Sequence, residues 1–166
     1  MTKKKGFLGI VIEIGAILLI AHTISKYFRI GLTRGNSMLP TLKHNRPLFL
    51  DCKCYRRRDP KRNDLITFKS PNHKKKIFLK RVIGLPGETV RIDGSNVYIN
   101  DQILTEPYIK EPMISPQKLE VTVSAETLFV MGDNRNNSLD SRSKSLGLIP
   151  NKNVMGVVKR CKWRAY

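Results

Sequence analysis

The stretch KIFLKRVIGLPGETVRIDGSNVYIN, residues 76–100, decides the fold. It divides into KIFLKRVIG (76–84), ETVRID (88–93) and NVYIN (96–100), runs of β-branched and aromatic residues bounded by Gly, Pro, Asp or Asn. That pattern is the signature of short strands joined by tight turns. Pro86 and Gly87 make the turn after the first run, and RIDGSNVYIN reads as a hairpin turning through Asp93, Gly94, Ser95 and Asn96. Working outward, PLFLD (47–51), DLITF (64–68), LEVTV (119–123), TLFVM (127–131) and VMGVVKR (154–160) repeat the signature. Segments 53–63, 105–118 and 133–147 read as loops, and no repeat or low-complexity tract is present. No run between strands is long enough for a βαβ crossover, so the expectation is an all-β fold of antiparallel sheets.

The 166 residues suit one core of ordinary size. Lys and Arg outnumber Asp and Glu by 31 to 13, a formal charge of +18, so the surface should attract polyanions, either nucleic acid or anionic lipid. The segment GFLGIVIEIGAILLIAHTI, residues 6–24, favours lipid. As a helix it spans about 28 Å, close to the hydrocarbon thickness of a bilayer. Glu13 opposes insertion by about 3 kcal/mol, but nearly all its neighbours favour it. A buried core helix fits poorly with Lys-flanked ends and all-round apolarity, and the following SKYFRI has no small-residue cleavage site of a removable leader. The expected organisation is a tail (1–5), a transmembrane helix (6–24) and a β domain (30–163). Lys3, Lys4 and Lys5 favour a cytoplasmic N-terminus, but Lys26, Arg29 and Arg34 on the other flank compete, which leaves orientation open. The basic runs YRRRDPKR and NHKKK read as solvated loops, with lipid contact the alternative. Cys52, Cys54 and Cys161 are an odd set, and one C-x-C without a second pair is weak evidence for zinc; a bridge to Cys161 needs an oxidising compartment.

Chemistry enters at RGNSMLPTL, residues 34–42, where Ser37 stands in a Gly- and Pro-bounded turn beside Met38 and Leu39. A serine nucleophile needs a base. His22 lies in the apolar segment, and His44 and His73 lie in basic polar loops, so none is a comfortable partner. Lys80 is a better one. It stands beside Arg81 in an apolar strand, and period-2 alternation lets one of that pair point inward. Burial disfavours the ammonium form and can make a lysine a base near neutral pH. A third block, MGDNRNNSLDSR (131–142), follows a strand and packs Asp, Arg, Asn and Ser densely.

NSMLPTL, NDLITF, FLKRVIGLPGE and MGDNRNNSLDSR, in that order behind one apolar segment, resemble the bacterial type I signal peptidases, membrane-bound Ser/Lys proteases. The resemblance implies a catalytic domain of two antiparallel sheets on the outer face of the membrane, with MTKKK cytoplasmic, that cuts signal peptides from exported preproteins after small residues at positions −1 and −3. It makes Ser37 the nucleophile and Lys80 the general base, working through an acyl-enzyme, with no metal or cofactor. Backbone N–H groups of Ser37 and Gly35 would form the oxyanion hole, because Gly35 stands where some relatives carry a serine hydroxyl donor. Met38, Pro40, Phe78 and Leu79 would line the substrate groove. In the third block Ser138 would hydrogen-bond Lys80, Asp140 and Arg142 would pair, Asp133 would tie down the arginine pair, and Gly132 would leave room near the lysine. Relatives usually carry Asp where this chain has Asn136, whose effect is open. The implied partners are preprotein signal peptides and membrane lipid, with no nucleic acid, for a monomer. Two other readings are the soluble Ser/Lys autoproteases of the SOS repressor type and an anchored binding protein without catalysis.

Overall fold

The computed structural model describes residues 6–72, 76–114 and 117–159. The tail 1–5, part of the NHKKK run and Cys161 lie outside them; Cys52 and Cys54 are free thiols. Helix α1, Phe7–Tyr27, has 21 residues, none of them buried, and is long and apolar enough to cross a membrane. It continues three residues past the expected 6–24. Thr23 and Ser25 return their hydroxyls to the carbonyls of Leu19 (2.8 Å) and His22 (2.7 Å), which satisfies these polar groups within the helix.

The chain passes from α1 directly into β1 (Phe28–Leu32), followed by β2 (Pro47–Asp51), β3 (Leu65–Lys69) and β4 (Ile77–Gly84). Then come β5 (Thr89–Gly94), β6 (Asn96–Ile99), β7 (Gln102–Ile103), β8 (Gln117–Thr122), β9 (Thr127–Met131), β10 (Ile149–Pro150) and β11 (Val154–Lys159). They form a seven-stranded sheet, β1-β2-β11-β3-β4-β9-β10, and a four-stranded sheet, β7-β6-β5-β8. All recorded pairings are antiparallel, in agreement with the all-β expectation. The β5–β6 hairpin closes with Asp93 opposite Asn96, and Gly94 supplies the left-handed turn residue at φ 62°.

The seven-stranded sheet gains a strand that the sequence did not announce. FRIGL, β1, carries no buried residue and alternates like a flank rather than a core strand, yet it pairs with β2 through Ile30 opposite Phe49. The loop expected at 53–63 contains a 3-10 turn at Cys54–Arg56, and β8 begins at Gln117, inside the loop expected at 105–118.

Two apolar clusters form the interior. One gathers Ile66, Phe68, Val82, Leu128, Val130, Leu146 and Ile149; the other gathers Ile83, Val90, Ile92, Val97, Val123, Phe129 and Met131. Successive residues of β4 (Val82, Ile83) and of β9 (Phe129, Val130) fall in different clusters, so these neighbouring strands are covered on both faces. That is how Lys80 and Arg81 are both 2% exposed although they point to opposite sides. The sequence expectation of one inward residue holds for a strand with a wet face, and β4 has none from Lys80 to Gly84.

Candidate active site

Ser37 sits on a turn between β1 and β2, tightened by Leu39 N–H to Asn36 O (3.2 Å) and Leu42 N–H to Met38 O (2.8 Å). Lys80 lies in the middle of β4, and its Nζ is hydrogen-bonded to Ser37 Oγ at 2.6 Å. Burial is the main influence on this amine and pulls its pKa from 10.5 to about 8. The carboxylates of Asp140 and Asp133 oppose that drop, and the Arg142 guanidinium reinforces it. A base of this strength is partly neutral near pH 7, and its lone pair can accept the serine proton.

The 131–142 block wraps the rear of this pair. Asn134 fastens it to the nucleophile turn, with its N–H on Ser37 O (3.0 Å) and its Nδ2 on Asn36 O (3.1 Å). Asp140 accepts two bonds from the Arg142 guanidinium, Nε at 2.8 Å and Nη2 at 2.9 Å, one from the Arg142 backbone N–H at 3.3 Å, and the Gly132 N–H at 2.9 Å. Asp133 does not hold Arg142. Its carboxylate grips Arg81 (Nε 2.7 Å, Nη2 2.6 Å) and accepts the Thr41 hydroxyl, while Arg81 stacks on the Tyr108 ring 3.9 Å away. Arg135 pairs instead with Glu106 at 2.6 and 2.5 Å. Each buried guanidinium thus has its own carboxylate, so none is left uncompensated in the low-dielectric interior.

Gly132 is required by space. A methyl group there would fall 2.6 Å from both Ser138 Cβ and the Ser37 carbonyl oxygen. Ser138 Oγ is buried against this glycine and has no hydrogen-bond partner among the described residues, so the expected bond to Lys80 is not formed. The amine is engaged by Ser37. Asn136 donates through Nδ2 to Pro112 O (3.0 Å) and accepts the Ile114 N–H through Oδ1 (2.9 Å). A carboxylate has no donor for Pro112, which gives the amide at this position a structural use.

A groove of about 310 Å³ opens beside the pair. Ser37, Met38, Phe78, Leu79 and Lys80 line it together with Leu42, Ile77, Asn137 and Leu139. The last four are not singled out by the sequence: Leu42 ends the nucleophile turn, Ile77 opens β4, and Asn137 and Leu139 lie in the loop after β9, so only the tertiary fold brings them together. Pro40 is exposed and lies outside the lining, because the turn carries it away from β4. Gly35 lines the groove, but its N–H, at a residue with φ 84°, donates to His44 Nδ1 at 3.0 Å and is thus engaged elsewhere than expected of an oxyanion donor. Among the described residues no group of three His, Cys, Asp or Glu side chains is arranged to hold a metal.

Residues 6–163 match the family model for signal peptidase, peptidase S26. The chain belongs to this family. Signal peptidase I of Leptolyngbya laminosa is 42% identical over 130 residues, which cover 72% of this chain and 61% of that protein. Signal peptidase I T of Bacillus subtilis strain 168 is 36% identical over 159 residues, covering 90% of this chain and 80% of that one. Signal peptidase I V of the same strain is 31% identical over 171 residues, covering 95% and 98%. The chain therefore spans about three fifths of the Leptolyngbya relative and nearly all of the last. The crystal structure of a signal peptidase I from Enterococcus faecalis V583 superposes with a TM-score of 0.54 at 34% identity, covering 61% of this chain and 98% of that one.

Proposed function

We propose that this chain is a membrane-anchored serine endopeptidase that removes signal peptides from exported preproteins, with Ser37 as nucleophile and Lys80 as general base. The observation that carries the reading is the 2.6 Å hydrogen bond between Ser37 Oγ and the buried Lys80 Nζ at the floor of an open groove. Neutral Lys80 takes the Ser37 proton as Oγ adds to the scissile carbonyl, and the Ser37 N–H stabilises the oxyanion. Collapse breaks the C–N bond, with Lys80 returning the proton to the leaving amine. Lys80 then takes a proton from the water that attacks the acyl-enzyme ester and passes it to the departing Ser37 oxygen as the C–O bond breaks, and the signal peptide leaves as a carboxylate.

The preprotein binds extended, its main chain adding a strand along the groove. Met38, Phe78 and Leu79 narrow the apolar floor and favour small side chains at −1 and −3. Helix α1 spans the cytoplasmic membrane with the lysine-rich tail inside and both sheets outside, and the monomer's basic loops lie against anionic head groups. The test is cleavage of a purified preprotein by the detergent-solubilised chain. Ser37→Ala, Lys80→Ala and Lys80→Arg should each abolish cleavage while keeping a cooperative unfolding transition, the last because guanidinium does not deprotonate. Cleavage by Ser37→Ala, or a wild-type chain that binds preprotein without cutting it, overturns the proposal.

A further inference from the structure

Besides the Asn134 clamp, the turn that carries Ser37 is tied down at two further places on its β1 side. At its base Thr33, 5% exposed, exchanges bonds with Arg46 (N–H to O 2.9 Å) and Asn45 (O from N–H 3.0 Å), and its hydroxyl bridges Lys43 O (2.6 Å) and Arg46 N–H (2.8 Å). Nearer the nucleophile, the Gly35 N–H donates to His44 Nδ1 at 3.0 Å. Gly35 holds φ 84° with open space where a side chain would be, so neither a Cβ nor packing fixes its peptide. Glycine is the residue whose backbone is otherwise freest to rotate. His44 itself does not line the groove, whereas Gly35, Asn36 and Ser37 do.

We infer that His44 is a positioning residue of this turn: its unprotonated Nδ1 holds the N–H of the Arg34–Gly35 peptide, and with it the start of the Gly35–Asn36–Ser37 segment whose last N–H faces the developing oxyanion. The inference rests on the proposed peptidase reading. It requires a neutral imidazole with its proton on Nε2, because a protonated Nδ1 would confront the amide with a second donor. His44 thus contributes to the reaction as an acceptor for the backbone and not as a base.

Asparagine and glutamine separate this role from bulk. Asn Oδ1 branches from the same carbon position as His Nδ1, while Gln places its oxygen one atom further out. With preprotein cleavage by the full chain in detergent, His44→Ala should lower kcat about three- to tenfold with KM little changed, the worth of one exposed hydrogen bond felt mainly in the transition state. His44→Asn should recover to within about twofold of wild type, and His44→Gln should resemble His44→Ala. Nitrogen-15 NMR of the histidine-labelled chain should show the Nε2–H tautomer at His44, and Gly35 amide exchange should quicken in His44→Ala but not in His44→Asn. Three variants all equal to wild type, an Asn variant as slow as Ala, or an Nδ1–H tautomer would overturn the inference. If the wild-type chain does not cleave, the peptidase reading falls, and the tautomer and the Gly35 exchange rates still judge the His44 contact.

Discussion

A lysine with its pKa lowered from 10.5 to about 8 changes the pH dependence of catalysis by an amount that can be worked out. At pH 7 about 9% of the Lys80 amines would be neutral, against about 0.03% for an ordinary lysine, a gain of roughly 300-fold in free base. The rate constant kcat/KM should therefore rise about tenfold per pH unit from pH 6, bend near pH 8 and level off above 9. The same shift acts on stability. The folded state binds the Lys80 proton more weakly than the unfolded chain, so the contribution is favourable above the unfolded pKa and is lost as pH falls from 10.5 to about 8. Below that window the fold carries a buried ammonium at a cost of about 3 kcal/mol. Lys80→Met should then be more stable than wild type at pH 7 by up to about that amount, less the hydrogen bond to Ser37, with the advantage gone above pH 10.5. Preprotein cleavage and urea unfolding, both followed from pH 6 to 11 in detergent, measure the two consequences. A rate profile that is flat from 6 to 9, or one centred near 10.5, would refute the reasoning.

Three further outcomes follow from the surroundings of the lysine. Asp140→Asn removes the largest charge opposing the lowered pKa, so the rate midpoint should move below that of wild type; breaking the buried pair with Arg142 should cost about 3–5 kcal/mol by denaturant unfolding. Gly132→Ala drives a methyl into Ser138 and the Ser37 carbonyl, so cleavage should fall at least tenfold with a stability loss of about 1–3 kcal/mol, both measurable on one preparation. Asn136→Asp keeps the acceptor for Ile114 N–H but faces Pro112 O without a donor, and should destabilise by about 1–2 kcal/mol in thermal unfolding with kcat nearly unchanged.

The strands that the sequence announced are those with a reason to be apolar. DLITF and TLFVM are continuous runs because β3 and β9 bury both faces, whereas β1 is exposed on both and hides its pairing behind Arg29 and Gly31. β7 and β10 are two residues each, too short to leave a period. In the site, Ser37 and Lys80 could be named from their motifs, and the structure brings them into contact. Arg81 is not marked by the sequence, because alternation predicts one inward residue and only the tertiary placement of β4 between two clusters buries both. Asn134 and Asn137 read as ordinary turn formers, since nothing local distinguishes an asparagine that clamps another loop from one that meets water. Gly35 and His44 are nine residues apart, and a backbone-to-imidazole contact has no composition signature at all.

The double covering of β4 also makes strand register a check on chemistry. Because neighbouring side chains face opposite ways, a slip of one residue against β3 would put either Arg81 or Leu79 where Lys80 stands, leaving Ser37 beside a permanently charged guanidinium or an apolar side chain. Such a misaligned chain would keep its hydrogen-bond ladder and still lack a base. The irregularity between Val82 and Gly84, where β4 meets β9, lets the two strands fit in one alignment and not the next. Catalytic competence in this fold is therefore a property of alignment as much as of composition, and a sheet out of step would lose its base and the buried Arg81–Asp133 pair together.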